Sequence, residues 1–322
     1  MSEPNLSSLK SPPACSAWNP SIPNGFGYRP SLAAGIVFTI LFSCTLALHL
    51  WQTARHRKFW LGAAFSIGAL GEVIGWAARV AAYPCPYSTQ LMEMQLAALI
   101  MGMLQCGLDS YLLLDLRKDI EVLKMPNTAP AFTAAGIYGI LTLVIPVVGR
   151  DKSLLSPRLY LIIFMIVDFF SGALQAIGGG LTGAAFGQGS DVRPGTYTMV
   201  AGVVWQLVST CVFATLFELV ILRARHIIWG NPYLLRAFAA TMLAVTCMVI
   251  RGVYRSMELI QGWRGYLFTH ERFALVLDAA MMFIAAVVFN LWNPGFLIPR
   301  AARYEEEAKE RVEVEGMTQP DV

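Results

Sequence analysis

The sequence predicts an all-α polytopic membrane protein with seven transmembrane helices, its N-terminus outside and its C-terminus cytoplasmic. Composition, the length of the apolar runs and the placement of basic residues predict it. Aliphatic, aromatic and Cys residues make up 56% of the 322 residues, and charged residues only 14%, against about 25% in ordinary soluble proteins. A soluble chain of this length cannot hide so much apolar surface, whereas lipid removes the need to hide it. The net charge of +3 is too small to suggest nucleic acid. No basic run is interleaved with aromatics, and no GxxxxGK[ST] loop occurs, which argues against energy from bound ATP.

About twenty apolar residues cross a bilayer as a helix. Such runs lie near 31–51, 59–82, 129–148, 158–181, 197–222, 234–258 and 272–292, with 91–114 as an eighth candidate. Pro84 and Pro86 after the second run, the triplet Gly178-Gly179-Gly180 at the end of the fourth, and Asn293-Pro294-Gly295 after the last read as punctuation. Cytoplasmic loops are enriched in Lys and Arg. With seven spans, one side collects Arg55, Arg57, Lys58, Arg150, Lys152, Arg158, Arg223, Arg225, Arg236 and the tail from Arg300. An eighth span would move the clusters at 150–158 and 223–236 to the other side. Seven spans is the consistent reading.

The chain thus divides into a polar extracellular N-terminus (1–30), a membrane domain (31–296) and a charged cytoplasmic tail (297–322). The first thirty residues do not read as a cleaved signal peptide, so the first span is expected to do the targeting. Asn5-Leu6-Ser7 is a glycosylation sequon on the outer side. Cys15 and Cys85 both fall outside and form a candidate disulfide, with two free thiols as the alternative. The six cysteines form no CxxC pair, the four histidines are scattered, and no metal site or cofactor is expected. Trp51, Trp60, Trp76, Trp205, Trp263 and Trp292 lie near span ends and read as an interfacial belt.

The stretch 102–128 does not match its surroundings. It holds Asp109, Asp115, Arg117, Lys118, Asp119, Glu121 and Lys124. Leu104, Leu108, Leu112, Leu116 and Ile120 recur every four residues, which suits an interfacial amphipathic helix. A sharper hypothesis is a retained intron. Its removal joins Met101 to Ala129 in one continuous apolar run and keeps the reading frame. Gly102-Met103 can be encoded with a GTATG donor, and Thr128-Ala129 with a CAG acceptor.

Ionisable groups at membrane depth are costly and mark function by default. The candidates are Glu72, Arg79, Asp168, Glu218, Arg251, Arg255, Glu258, Glu271 and Asp278, with the polar Gln175. Glu72 and Arg79 are seven residues apart, as are Glu271 and Asp278, and Asp168 and Gln175. Each pair therefore shares a helix face, as do Arg251, Arg255 and Glu258. The orientation above gathers most of them in the outer half of the bundle, with Asp168 deeper and Glu218 near the inner end. One reading is a polar cavity for an amphiphile's head group or a proton relay. The other is a set of ion pairs that fix helix packing. Gly71 and Gly75 form a GxxxG, a packing signal. No Ser-His-Asp or Cys-His arrangement is evident.

Several segments resemble one known family. They are Gly27-Tyr28-Arg29-Pro30-Ser31-Leu32-Ala33-Ala34; Gly71-Glu72-Val73-Ile74-Gly75-Trp76 with Arg79; Ala129-Pro130-Ala131-Phe132 with Gly136-Ile137-Tyr138; and Asp168 with Gln175 and the glycine triplet. The longest runs from Arg251-Gly252-Val253-Tyr254-Arg255 through Glu258, Gln261-Gly262, Gly265-Tyr266, His270-Glu271, Asp278 and Phe289-Asn290 to Asn293-Pro294-Gly295. Together they resemble the fungal lipid-translocating exporter family of aminocholesterol-resistance and sphingoid long-chain base exporter-like proteins. The resemblance implies seven spans, a fungal plasma membrane, and lipid export or resistance to toxic amphiphiles. The stretch 102–128 is a departure from it.

The resulting expectation is a transporter or flippase-like exporter of an amphiphilic lipid or drug, not an enzyme. Glu72, Asp168, Arg251, Arg255, Glu258 and Asp278 would line its site, with arginines meeting anionic head groups and carboxylates meeting amines or carrying protons. A seven-helix sensor is the alternative, although its loops are short. An intramembrane lipid-modifying enzyme ranks third, lacking a nucleophile and base.

Overall fold

The computed structural model describes residues 15–19, 27–56, 59–88, 90–91, 94–95, 133–188, 190–263 and 265–318. Asn5, the eighth-span candidate beyond residue 95, and the stretch 102–128 lie outside them. Among the described residues the regular structure is helical, without strands. The helices are α1 (Leu32–His56), α2 (Phe59–Ala82), α3 (Thr133–Val148), α4 (Pro157–Gln188), α5 (Arg193–Gly230), α6 (Pro232–Gln261), α7 (Glu271–Leu291) and α8 (Pro294–Thr318).

Six of these, α1, α2 and α4 to α7, are long and apolar enough to cross a membrane. The third expected span, 129–148, is described only from Thr133, and α3 is a shorter apolar helix of 16 residues. The protein is an all-α polytopic membrane protein.

α1 and α2 pair, α4 and α5 pair, and α6 packs on α5, α7 and α8. α7 also meets α1, and α3 joins α4, α2 and α8. Hydrophobic driving force is weak between helices in lipid, so close van der Waals packing must hold the bundle. Aromatic side chains provide it. Tyr138, Phe164 and Phe213 meet with ring centroids 4.7–5.3 Å apart, and Phe65 stacks on Phe289 at 4.6 Å.

The glycine triplet does not end the fourth span. α4 continues to Gln188, and Gly178 faces α5 at close range. A Cβ on Gly178 would lie 2.5 Å from the backbone nitrogen of Met199, and one on Gly202 2.7 Å from the carbonyl oxygen of Ser171. Here glycine serves helix contact rather than termination. The start of α6 is conventional: Asn231 caps it, its side chain accepting from the Tyr233 and Leu234 amides, with Pro232 in the first turn.

Two further expectations are corrected. Trp76 is buried and packs on Phe38 at 4.6 Å rather than at the interface, whereas Trp51, Trp205 and Trp292 are exposed. The segment read as a tail begins in the core, because Leu297, Ile298 and Ala301 are buried on α8. Asn231 donates to the Ala301 carbonyl (3.0 Å) and to Glu305 (3.1 Å), which ties α8 to the α5–α6 junction.

Candidate functional site

Three helices bring the buried charges together. α2 carries Glu72 and Arg79 on one face. α6 carries Arg251, Tyr254, Arg255 and Glu258 over two turns. α7 carries Glu271 and Asp278, and Asp278 lies in a π-helical stretch, Ala274–Ala280. Such wide turns are rare and recur at functional sites.

Asp278 bridges two arginines. Arg251 donates from Nε to its Oδ1, and Arg255 Nη2 lies 3.0 Å from its Oδ2. Arg255 also reaches Glu258 through Nη1 at 3.0 Å, and the Tyr254 hydroxyl donates to the other Glu258 oxygen at 2.8 Å. Both Asp278 oxygens and both Glu258 oxygens thus have donors, which a buried carboxylate requires.

Glu72 differs. It is 7% exposed, yet among the described residues it has no ion-pair partner. Its carboxylate lies within electrostatic reach of Arg251, Arg255 and Asp278 and accepts from Trp76, one turn along α2.

A second pair closes one end of the bundle. Arg79 meets Glu271 at 2.7 Å and donates to the Tyr28 hydroxyl, while the Ser31 amide donates to Glu271 at 3.0 Å. Burial pushes the Tyr28 phenol above its ordinary range, so it stays neutral at physiological pH. Gly27 makes this approach with φ 69°, and a Cβ there would sit 3.3 Å from the Phe268 ring. The disulfide between Cys15 and Cys85 ties the preceding segment to the same end. Trp18 stacks on Tyr87, and Arg29 lies over Tyr83. Residues 15–19 and 27–31 therefore form a strap across this end.

Beside the network a cavity of about 70 Å³ opens between α4, α5 and α6. Its polar wall is Gln175, Gln206, Thr210, Arg251, Arg255 and Glu258. Its apolar wall includes Met199, Val203, Met248, Leu259 and Trp263. Gln175 donates to Gln206 across the α4–α5 contact at 3.0 Å. This volume suits a hydrated head group, not a whole lipid.

Asp168 lies elsewhere. It is buried against the aromatic core, where the Tyr138 hydroxyl donates to Oδ2 at 2.9 Å and Oδ1 has no hydrogen-bond partner among the described residues. It does not line the cavity. Glu218 is exposed on α5 and joins neither group. Tyr28, Tyr254 and Gln206 enter the site without having been singled out for it. The i,i+4 spacing of Tyr254 and Glu258, and a Gln in the middle of an apolar run, were the available signals.

Residues 122–301 match the family described as RTA1 like protein. The chain is 31% identical to the sphingoid long-chain base transporter RSB1 of Saccharomyces cerevisiae, over 84% of this chain and 73% of that protein. It is 30% identical to Protoporphyrin uptake protein 1 of the same yeast, over 51% of this chain and 54% of that one. It is 32% identical to yeast Protein RTM1, over 50% and 52%. No solved structure matches the chain.

Proposed function

The chain belongs to the RTA1-like family, and from that premise we propose that it translocates amphiphilic lipids or lipid-like toxic compounds across a fungal membrane. The head group enters the cavity between α4, α5 and α6. The reading further takes the protein to be a non-enzymatic exporter in the plasma membrane, conferring resistance to its substrates. Seven spans place the N-terminus and the disulfide outside, where disulfides persist.

One observation carries this reading. The cavity is lined both by the charged Arg251, Arg255 and Glu258 and by Met, Val, Leu and Trp side chains. A surface divided in this way suits a molecule that is itself divided, with a charged head and an apolar stem. The relatives support the substrate class, since one of them is named for sphingoid long-chain bases. Glu258 supplies a carboxylate to an ammonium group, and Gln175, Gln206 and Thr210 supply partners for hydroxyl groups.

The test is reconstitution of the full chain in liposomes, following fluorescent sphinganine from one leaflet to the other. Flux above protein-free vesicles that Glu258→Gln abolishes supports the reading. Flux equal to protein-free vesicles for sphinganine and for labelled phospholipids contradicts it.

A further inference from the structure

Among the described residues, the inner ionic cluster contains two guanidinium groups, Arg251 and Arg255, and three carboxyl groups, Glu72, Glu258 and Asp278. The Arg79–Glu271 pair balances itself at the strap end. The inner cluster is therefore one positive charge short when all its carboxyls are ionised. Uncompensated charge at membrane depth is strongly unfavourable. Glu258 and Asp278 are each held by arginine, and Glu72 is the carboxyl without an ion-pair partner among the described residues. Two species can supply the missing charge: a proton on Glu72, or a monovalent cation bound in the adjoining cavity.

We propose that the protein exchanges protons for cationic amphiphiles, with Glu72 as the proton carrier. In the resting state Glu72 is protonated and the cluster is neutral. A head group bearing one positive charge enters the cavity against Glu258. The Glu72 O–H bond then breaks, the proton leaves to water, and the carboxylate balances the arriving cation through Arg251, Arg255 and Asp278. One proton leaves as one cation enters, so the cluster keeps its net charge. Cation departure on the other side of the membrane allows Glu72 to take up a proton again. The groups acting on Glu72 are Arg251 and Arg255 from α6, Asp278 from α7 and Trp76 from its own helix, with Glu258 joined through Arg255. None of them supplies a spare positive charge.

This inference rests on the cavity being a head-group site, and the tests separate the two. N,N,N-trimethylsphingosine carries a fixed charge and cannot itself release a proton. Its binding to the purified full chain is measured by calorimetry in two buffers of different ionisation enthalpy. The wild type is expected to release about one proton per cation, with affinity rising about tenfold per pH unit while Glu72 remains protonated. Glu72→Gln is expected to bind at least about tenfold more weakly and to release none, because a neutral amide cannot supply the balancing charge. Binding without proton release overturns the exchange and leaves the head-group site standing. Absence of binding by wild type overturns both. Infrared spectroscopy of the ligand-free protein gives an independent reading. A deuterium-sensitive carboxylic acid band lost in Glu72→Gln supports the carrier, and an unchanged band overturns it.

Discussion

Two regions of this bundle each enclose a buried carboxyl group that has no ion-pair partner among the described residues, and they enclose it differently. Glu72 sits within electrostatic reach of Asp278 and of two arginines, Arg251 and Arg255, that line the cavity. Asp168 sits among aromatic rings, bonded to the Tyr138 hydroxyl, and no cavity-lining arginine acts on it. In the first region the surroundings are charged, so adding or removing one charge changes every neighbour. In the second they are apolar, and the Tyr138 hydroxyl is the donor that the carboxyl meets. On the proposed account, burial alone does not mark a transport residue. What matters is whether the neighbouring charges leave a balance to fill.

The largest break in this comparison is Asp278→Asn. It removes the carboxylate shared by Arg251 and Arg255 and is expected to cost about 3–5 kcal/mol, as for other broken buried pairs. Thermal unfolding in detergent and sphinganine flux in liposomes both report it, and wild-type flux in this variant would contradict the assigned site. Next is Cys15→Ser, which frees the strap over the ionic region by opening a covalent link across a sequence separation of 70. Such closures are worth about 2–4 kcal/mol, read as a lower unfolding temperature that reducing agent reproduces in the wild type. Tyr138→Phe sharpens the other side. It leaves Asp168 without its hydrogen bond and is expected to cost about 1–3 kcal/mol, with flux unchanged. Asp168→Asn should likewise leave flux unchanged, and its loss there would join the two regions into one pathway.

Helix spacing was sufficient to place Glu72 with Arg79, and Arg251 with Arg255 and Glu258, on shared faces. It could not say which helix each face meets. Asp168 and Gln175 share a face of α4, yet one turns to Tyr138 and the other to Gln206, because they contact different neighbours along the helix. The glycine triplet was misread because glycine marks both a helix end and a close helix contact. Trp76 was misread because sequence position near a span end does not reveal which side faces lipid. The wide turn carrying Asp278 has no sequence signal among the rules of spacing. The retained-intron hypothesis for 102–128 falls outside the described residues and is tested on transcripts. The hypothesis predicts transcripts that join the codons for Met101 and Ala129, and their absence would sink it in favour of an interfacial helix.

The charge balance around Glu72 is tested most directly by transport under an imposed pH gradient. Proteoliposomes containing the full chain are loaded with labelled N,N,N-trimethylsphingosine, whose fixed charge prevents passive redistribution with pH. The membrane potential is clamped, and the gradient is set in each direction. Proton–cation exchange predicts that cation moves toward the acidic side, reverses when the gradient is reversed, and loses its response to pH in Glu72→Gln. Cation movement indifferent to the gradient in the wild type would contradict the account.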